Sequence, residues 1–164
     1  MSAGQFEIKD IRGDARRDGL LGLNNRNAQE TSLLTCGRLH QLIGWARVAV
    51  CIPPDVALLI AFDQSAEYDG GHFLWFRERF DEFLYIDRVI VADEYRRHGI
   101  GRKLYAQVFA RAAKLGHTRI ACEVNLLPPN PVSDAFHASL GFREVGQAAI
   151  NNGSKTVRYL AVQV

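Results

Sequence analysis

The chain has 164 residues, 48% of them hydrophobic and 23% charged, which is the size and composition of one ordinary globular domain spanning residues 1–164. Twenty Lys and Arg against eighteen Asp and Glu leave a formal net charge of +2, too small for a protein that coats nucleic acid or an anionic membrane. Cys36, Cys51 and Cys122 are odd in number and widely spaced, so no metal site or disulfide scaffold is expected, and the thiols read as reduced and buried. The opening MSAGQFEIKD has no basic segment before an apolar run, and no stretch reaches about 18 apolar residues, so the expectation is a soluble, cytoplasmic protein.

Phe6 to Ile11 alternates as a first strand, and Asp14 to Leu23 carries a weak helical signal through Leu20, Leu21 and Leu23. Thr31 or Ser32 is positioned to cap a stronger helix through Leu34, Leu39, Leu42 and Ile43. Arg47 to Ile52 and Val56 to Phe62 are short aliphatic runs separated by Pro53 and Pro54, which suits an antiparallel strand pair. Tyr68 to Tyr85 reads as a loop-rich aromatic stretch leading into the strongest strand, Phe83 to Val91. Ile100, Leu104, Val108, Ala112 and Leu115 then recur at helical spacing, and Gly116 ends that helix. Thr118 to Asn125 reads as the next strand, reached by a crossover helix and therefore parallel. A helix from Asn130 to Leu140 and strands at Phe142 to Gln147 and Thr156 to Val162 complete an α+β order with a central βαβ unit.

Between that strand and helix stands Arg96-Arg97-His98-Gly99-Ile100-Gly101-Arg102-Lys103. Glycine lets backbone N–H groups approach an anion, and a helix N-terminus adds about half a positive charge, so the loop suits phosphate. A dinucleotide fingerprint needs a third glycine where Leu104 stands, and the P-loop pattern is absent.

The run VIVADEYRRHGIGRKL from Val89 to Leu104, followed by Asn130, Ser133 and FHASLGF at Phe136 to Phe142, closely resembles the GNAT superfamily of acetyl-CoA-dependent N-acetyltransferases. The family signature [Q/R]xxGx[G/A] is met by Arg96, Gly99 and Gly101, and its distal LGF by Leu140, Gly141 and Phe142. The resemblance is specific over Leu84 to Gly146 and looser before it. It implies a twisted, mixed, mostly antiparallel sheet with helices on both faces, in which the parallel strands Leu84 to Val91 and Arg119 to Asn125 splay apart. It further implies that the pantetheine arm of coenzyme A lies in that gap near Val89 and Val91, its pyrophosphate on Arg97 to Lys103, with Asn130 and Ser133 beside it.

Direct attack of an amine on a thioester, the mechanism this resemblance implies, needs a base, an oxyanion donor and an acid for the thiolate. Candidates for the base are Glu30, Asp87 and Glu123, the latter two leading because carboxylates on central strands are costly without a purpose. Asp87 also reads as an ion-pair partner of Arg88, and Glu123 as an outward polar position. Cys122 alternates with Ile120 and Val124 on an apolar face and reads as an inert core thiol. Many relatives place a tyrosine where His137 stands, which makes His137 the candidate acid; the alternative reading is that His137 packs within the helix begun near Asn130 and the thiolate departs unprotonated. Glu30, Tyr68, Trp75 and Tyr85 are candidates for the acceptor pocket, although the rings equally suit a core. The expected acceptor is a small-molecule or peptide amine, without nucleic acid, membrane or metal, and a homodimer is left open. A catalytically silent acyl-CoA sensor and a nucleic-acid module on the Arg96 to Arg102 patch are the competing readings.

Overall fold

A computed structural model describes residues 6–13 and 18–164. Seven strands form one sheet in the order β1-β2-β3-β4-β5-β7-β6: β1 Lys9–Asp10, β2 Val48–Ile52, β3 Ala57–Asp63, β4 Leu84–Val91, β5 Arg119–Leu127, β6 Arg143–Ile150 and β7 Lys155–Gln163. All neighbours are antiparallel except β4 and β5, which are parallel and joined by the crossover helix α4, Ile100–Leu115. The α+β class and mixed sheet expected from the sequence are therefore present.

The sheet is covered on both faces. One core gathers Leu20 and Leu23 of α1 (Asp18–Arg26), Leu39, Leu42 and Ile43 of α2 (Cys36–Trp45), and Phe73 and Phe76 of α3 (Gly71–Arg77). The other gathers Ile100, Leu104, Tyr105, Val108 and Ala112 of α4, with Phe136 of α5 (Pro131–Ser139) packed against it. With both faces covered, β3 is buried along its whole length and reads as a continuous apolar run from Ala57 to Phe62, ended by Asp63, rather than an alternating one. Gly116 ends α4 in the left-handed conformation at φ 74°, its N–H reaching back to the last turn of carbonyls, as expected of a glycine C-cap.

Two irregularities shape the sheet. β4 and β5 pair only at Leu84↔Ile120 and Tyr85↔Ala121, although β4 runs on to Val91 and β5 to Leu127. Beyond Tyr85 the strands part, each held by its outer neighbour, β3 or β7. The second is a bulge in β4: Arg88 pairs Ile60 and Ile86 pairs Ala61, leaving Asp87 without a partner on β3. Leu84 and Ile86 face the α4 core, and after the bulge Val89 and Val91 do, so the alternation changes parity at Asp87.

Several sequence expectations are corrected at their boundaries. Only Lys9 and Asp10 of the Phe6 to Ile11 run pair as a strand, while Phe6 and Ile8 pack against the α4 core. The first helix is described from Asp18, and residues 14–17 of the predicted segment lie outside the described residues. Thr35, not Thr31 or Ser32, caps α2, accepting the Arg38 N–H at 3.1 Å, whereas the Thr31 hydroxyl donates to the Asn27 carbonyl at 3.1 Å. The aromatic stretch contains α3, whose N-cap Gly70 supplies no side-chain bond and so left no signature. Cys36, expected to be buried, is exposed at the start of α2, while Cys51 and Cys122 are buried.

Candidate functional site

The gap between β4 and β5 opens into a cavity of about 180 Å³. Ile86 to Val89 form one wall and Cys122 to Asn125 the other. Tyr105, Asn130, Ser133 and His137 close the α4–α5 side. Glu30 and Thr31 from the turn after α1, His72 of α3, and Lys155 and Val157 of β7 close the opposite side. Among the candidate residues, Glu30, Asp87, Val89, Glu123, Asn130, Ser133 and His137 thus share one cavity wall or another.

Glu123 follows from strand alternation. Ile120, Cys122 and Val124 face the α4 core, so Glu123 takes the opposite face with Ala121, where the α1–α3 layer opens into the cavity. The buried Tyr85 hydroxyl donates to Glu123 Oε2 at 2.7 Å from below. Burial pushes the Glu123 pKa up to about 8; the nearby Asp87 charge adds to the rise, and the Tyr85 bond and Lys155 oppose it. Tyr85 is therefore the floor beneath Glu123 rather than part of the lining.

Asp87 and Arg88 are sequence neighbours whose side chains would project to opposite faces of a regular strand. The bulge removes that constraint, and Arg88 Nε donates to Asp87 Oδ2 at 2.7 Å with both side chains under 5% exposed. Arg88 Nη1 also donates to Oδ1 of the buried Asn24 at 2.6 Å, and the Asn24 amide donates to the Ser32 carbonyl at 2.9 Å. The cavity wall is thereby fastened to the turn that carries Glu30 and Thr31. Tyr68 packs at 4.8 Å from the Phe62 ring, and burial followed by the Asp87 charge raises its phenol far above the ordinary value.

His137 takes part in two hydrogen bonds that fix its tautomer. Its Nδ1 lies 2.7 Å from the Ser133 carbonyl oxygen, which only accepts, so Nδ1 carries the proton. Nε2 must then accept from the Tyr105 hydroxyl 2.6 Å away. Burial lowers the His137 pKa below its ordinary value, with the Ser133 carbonyl opposing, and burial raises that of Tyr105. Both groups are thus neutral near pH 7, and neither ring nitrogen has a spare proton. Asn130 caps α5 by accepting the Ser133 N–H at 3.2 Å.

The glycine loop forms an open cradle at the start of α4. Gly99 is the N-cap at φ 74° and Arg97 stands at φ 65°, no side chain caps the helix, and its first turn holds no acidic residue. N–H groups left in this way suit an anion. Arg96 pairs with Asp93 at 3.0 Å and donates to the Val91 carbonyl at 3.2 Å, and Arg102 donates to Ser139 Oγ at 2.8 Å. His98 Nδ1 donates to the Arg96 carbonyl at 2.8 Å, which tightens the turn. Ile100 is buried in the α4 core, and Val91 packs against that core.

Trp75 stands apart from the cavity lining, stacked on Tyr159 at 4.2 Å with Arg79 over its other face at 4.1 Å. Arg88 is the ion-pair partner of Asp87 that the sequence offered, whereas Tyr105, His72 and Lys155 were missed. Tyr105 adjoins Leu104 on the buried side of α4, where a polar-tipped ring is a readable signal. Lys155 had none, because only the insertion of β7 between β5 and β6 brings it to the cavity. Among the described residues no helix is long and apolar enough to cross a membrane, and no group of His, Cys, Asp or Glu is placed to hold a metal ion.

No curated protein matches the chain. Solved structures do: a GCN5-related N-acetyltransferase from Kribbella flavida at TM-score 0.72 and 17% identity, covering 99% of this chain and 100% of that one. The aminoglycoside 6'-N-acetyltransferase from Enterococcus faecium follows at 0.68 and 16%, covering 96% of each. The ribosomal-protein-S18-alanine N-acetyltransferase from Escherichia coli stands at 0.63 and 15%, covering 96% of this chain and 93% of that one. At such identities they establish a shared fold. The profile of the acetyltransferase (GNAT) family matches residues 23–142, most of the chain and all but the last wall of the cavity, and the chain belongs to that family.

Proposed function

We propose that the protein transfers the acetyl group of acetyl-coenzyme A to an amine within a ternary complex, with Glu123 as the base. The observation that carries this reading is Glu123 itself, a carboxyl titrating near 8 at the floor of a cavity where parallel strands part. An ordinary carboxylate stands about 6 pK units below an alkylammonium at about 10.4, whereas Glu123 stands between about 2 and 3 below it. Deprotonating the acceptor becomes correspondingly easier. Acetyl-coenzyme A supplies a thioester carbonyl; the Gly99 cradle and the flanking cations fit its phosphates, and Val89 and Val91 border the gap for its arm.

Glu123 takes a proton from the acceptor nitrogen, and Tyr85 keeps the carboxylate oriented. His137 has no free N–H and Tyr105 directs its one O–H at His137 Nε2, so Tyr105 would protonate the leaving thiolate only by turning that proton away from Nε2, while His137 holds the hydroxyl at the cavity wall until then. His137→Phe and Tyr105→Phe are each expected to lower kcat by about 10- to 100-fold, with a double variant hardly worse than either. Additive losses would show that the two do not act as a unit.

Gly99→Val is expected to weaken acetyl-coenzyme A binding by about tenfold or more, read by calorimetry. A β-branched residue at φ 74° is strained by about 1–2 kcal/mol, and its side chain would cover the N–H groups. The added Cβ meets nothing within 4 Å, so the fold should survive. Gly101→Val is less clean, since its Cβ would lie 3.3 Å from the Phe136 ring. The function itself is tested by thiol release from acetyl-coenzyme A against a panel of primary amines. Binding without turnover on any amine would favour the silent sensor.

A further inference from the structure

Charges in the cavity are unevenly matched. Asp87 and Arg88 neutralise each other, and Arg88 is further committed to Asn24. Glu123 accepts from Tyr85. Lys155 is different: half-buried at the head of β7, it lines the cavity, and among the described residues no carboxylate lies within ion-pair distance of it. Its charge is felt by two neighbours in the cavity, depressing the pKa of His72, where burial is the larger cause, and opposing the rise at Glu123. His72 is itself fixed, its Nδ1 2.9 Å from the Tyr159 hydroxyl.

An ammonium in this position repels any acceptor whose charge is only positive, and it does so beside the carboxyl that must receive that acceptor's proton. A partly desolvated cation without a counter-ion also calls for an anion. One class of acceptor answers both demands. We infer that the acceptor is a primary amine that also carries a carboxylate, an amino acid or ω-amino acid, seated with its nitrogen toward Glu123 and its carboxylate on Lys155. Glu30, exposed at the rim, is held there through its backbone N–H, which donates to the Asn27 carbonyl at 3.1 Å. This inference deepens the acetyltransfer reading and rests on it.

The test uses acceptors paired with and without the carboxylate, each pair compared at equal concentration of unprotonated amine: alanine against alaninamide, and 4-aminobutyrate against butylamine, with spermidine as a polycation. With wild-type protein and acetyl-coenzyme A, kcat/KM from thiol release is expected to favour a carboxylate-bearing amine over its partner by about tenfold or more. In Lys155→Gln that ratio should fall toward one, chiefly through KM, and in Lys155→Glu it should invert toward butylamine and spermidine. Equal rates within each pair, or a ratio untouched in Lys155→Gln, would overturn the inference while leaving acetyltransfer intact. If no amine releases thiol, acetyltransfer is the reading that fails. The inference is then decided by calorimetry of alanine and 4-aminobutyrate against protein with coenzyme A: binding weakened about tenfold in Lys155→Gln supports it, and binding absent or independent of Lys155 overturns it.

Discussion

Glu123→Gln is expected to lower kcat by about two to four orders of magnitude while acetyl-coenzyme A affinity stays near that of the wild type. Glutamine keeps the shape and still accepts from Tyr85, so the loss reads the proton-accepting role rather than the packing. The wild-type rate should rise with pH through about 8, since only the ionised carboxyl takes a proton and burial holds that ionisation high. The stability sign runs the other way. The folded pKa lies above the unfolded one of 4.5, so the stability this group contributes is present below pH 4.5 and is lost as pH climbs to about 8. Glu123→Gln should therefore flatten that part of the stability–pH curve even as it removes activity. A glutamine variant with wild-type kcat, or an acid limb near the ordinary carboxylate range in the wild type, would transfer the base role away from Glu123.

The parts of the site that were legible in the sequence are those set by local rules. Gly99 and Gly116 announce backbone conformations that side chains resist, and both adopt positive φ at the two ends of α4. The Ile120, Cys122, Val124 alternation placed Cys122 in a core, and by parity it also placed Glu123 on the other face, though not whether that face met solvent or a cavity. What stayed hidden depends on long-range register. The β4 bulge is a mismatch between two strands, and nothing in LYIDRVIV marks it; the Asp87–Arg88 pair was readable from the two charges, but not the bulge that lets both side chains meet on one face. In the same way, the sequence shows a strand after Asn151-Asn152-Gly153 but not that it enters the sheet between β5 and β6, which alone delivers Lys155. His137 was read as a free acid because its partners are a carbonyl one helical turn away and a hydroxyl from another helix.

Arg88→Leu is expected to be the most destabilising single change at the site, by about 3–5 kcal/mol, because it strands the Asp87 carboxylate beneath the sheet surface without a counter-charge. For a chain of this size that corresponds to a fall in Tm of roughly 6–20 °C. The reciprocal change, Asp87→Leu, strands the guanidinium instead and should cost about as much, less whatever Asn24 still absorbs through its 2.6 Å bond. Replacing both with leucine removes the uncompensated charge, so the double variant should be more stable than either single one. That ordering separates an ion pair from two independently important residues, for which the losses would add. A second readout follows from the route Arg88–Asn24–Ser32: with Arg88 gone, the turn bearing Glu30 and Thr31 loses its tie to β4. At a temperature where the variant remains folded, KM for the amine should rise more than that for acetyl-coenzyme A, whose cradle at Gly99 lies beyond the far end of the same strand. Retained stability within about 1 kcal/mol in Arg88→Leu would mean that the bulge holds without its charges.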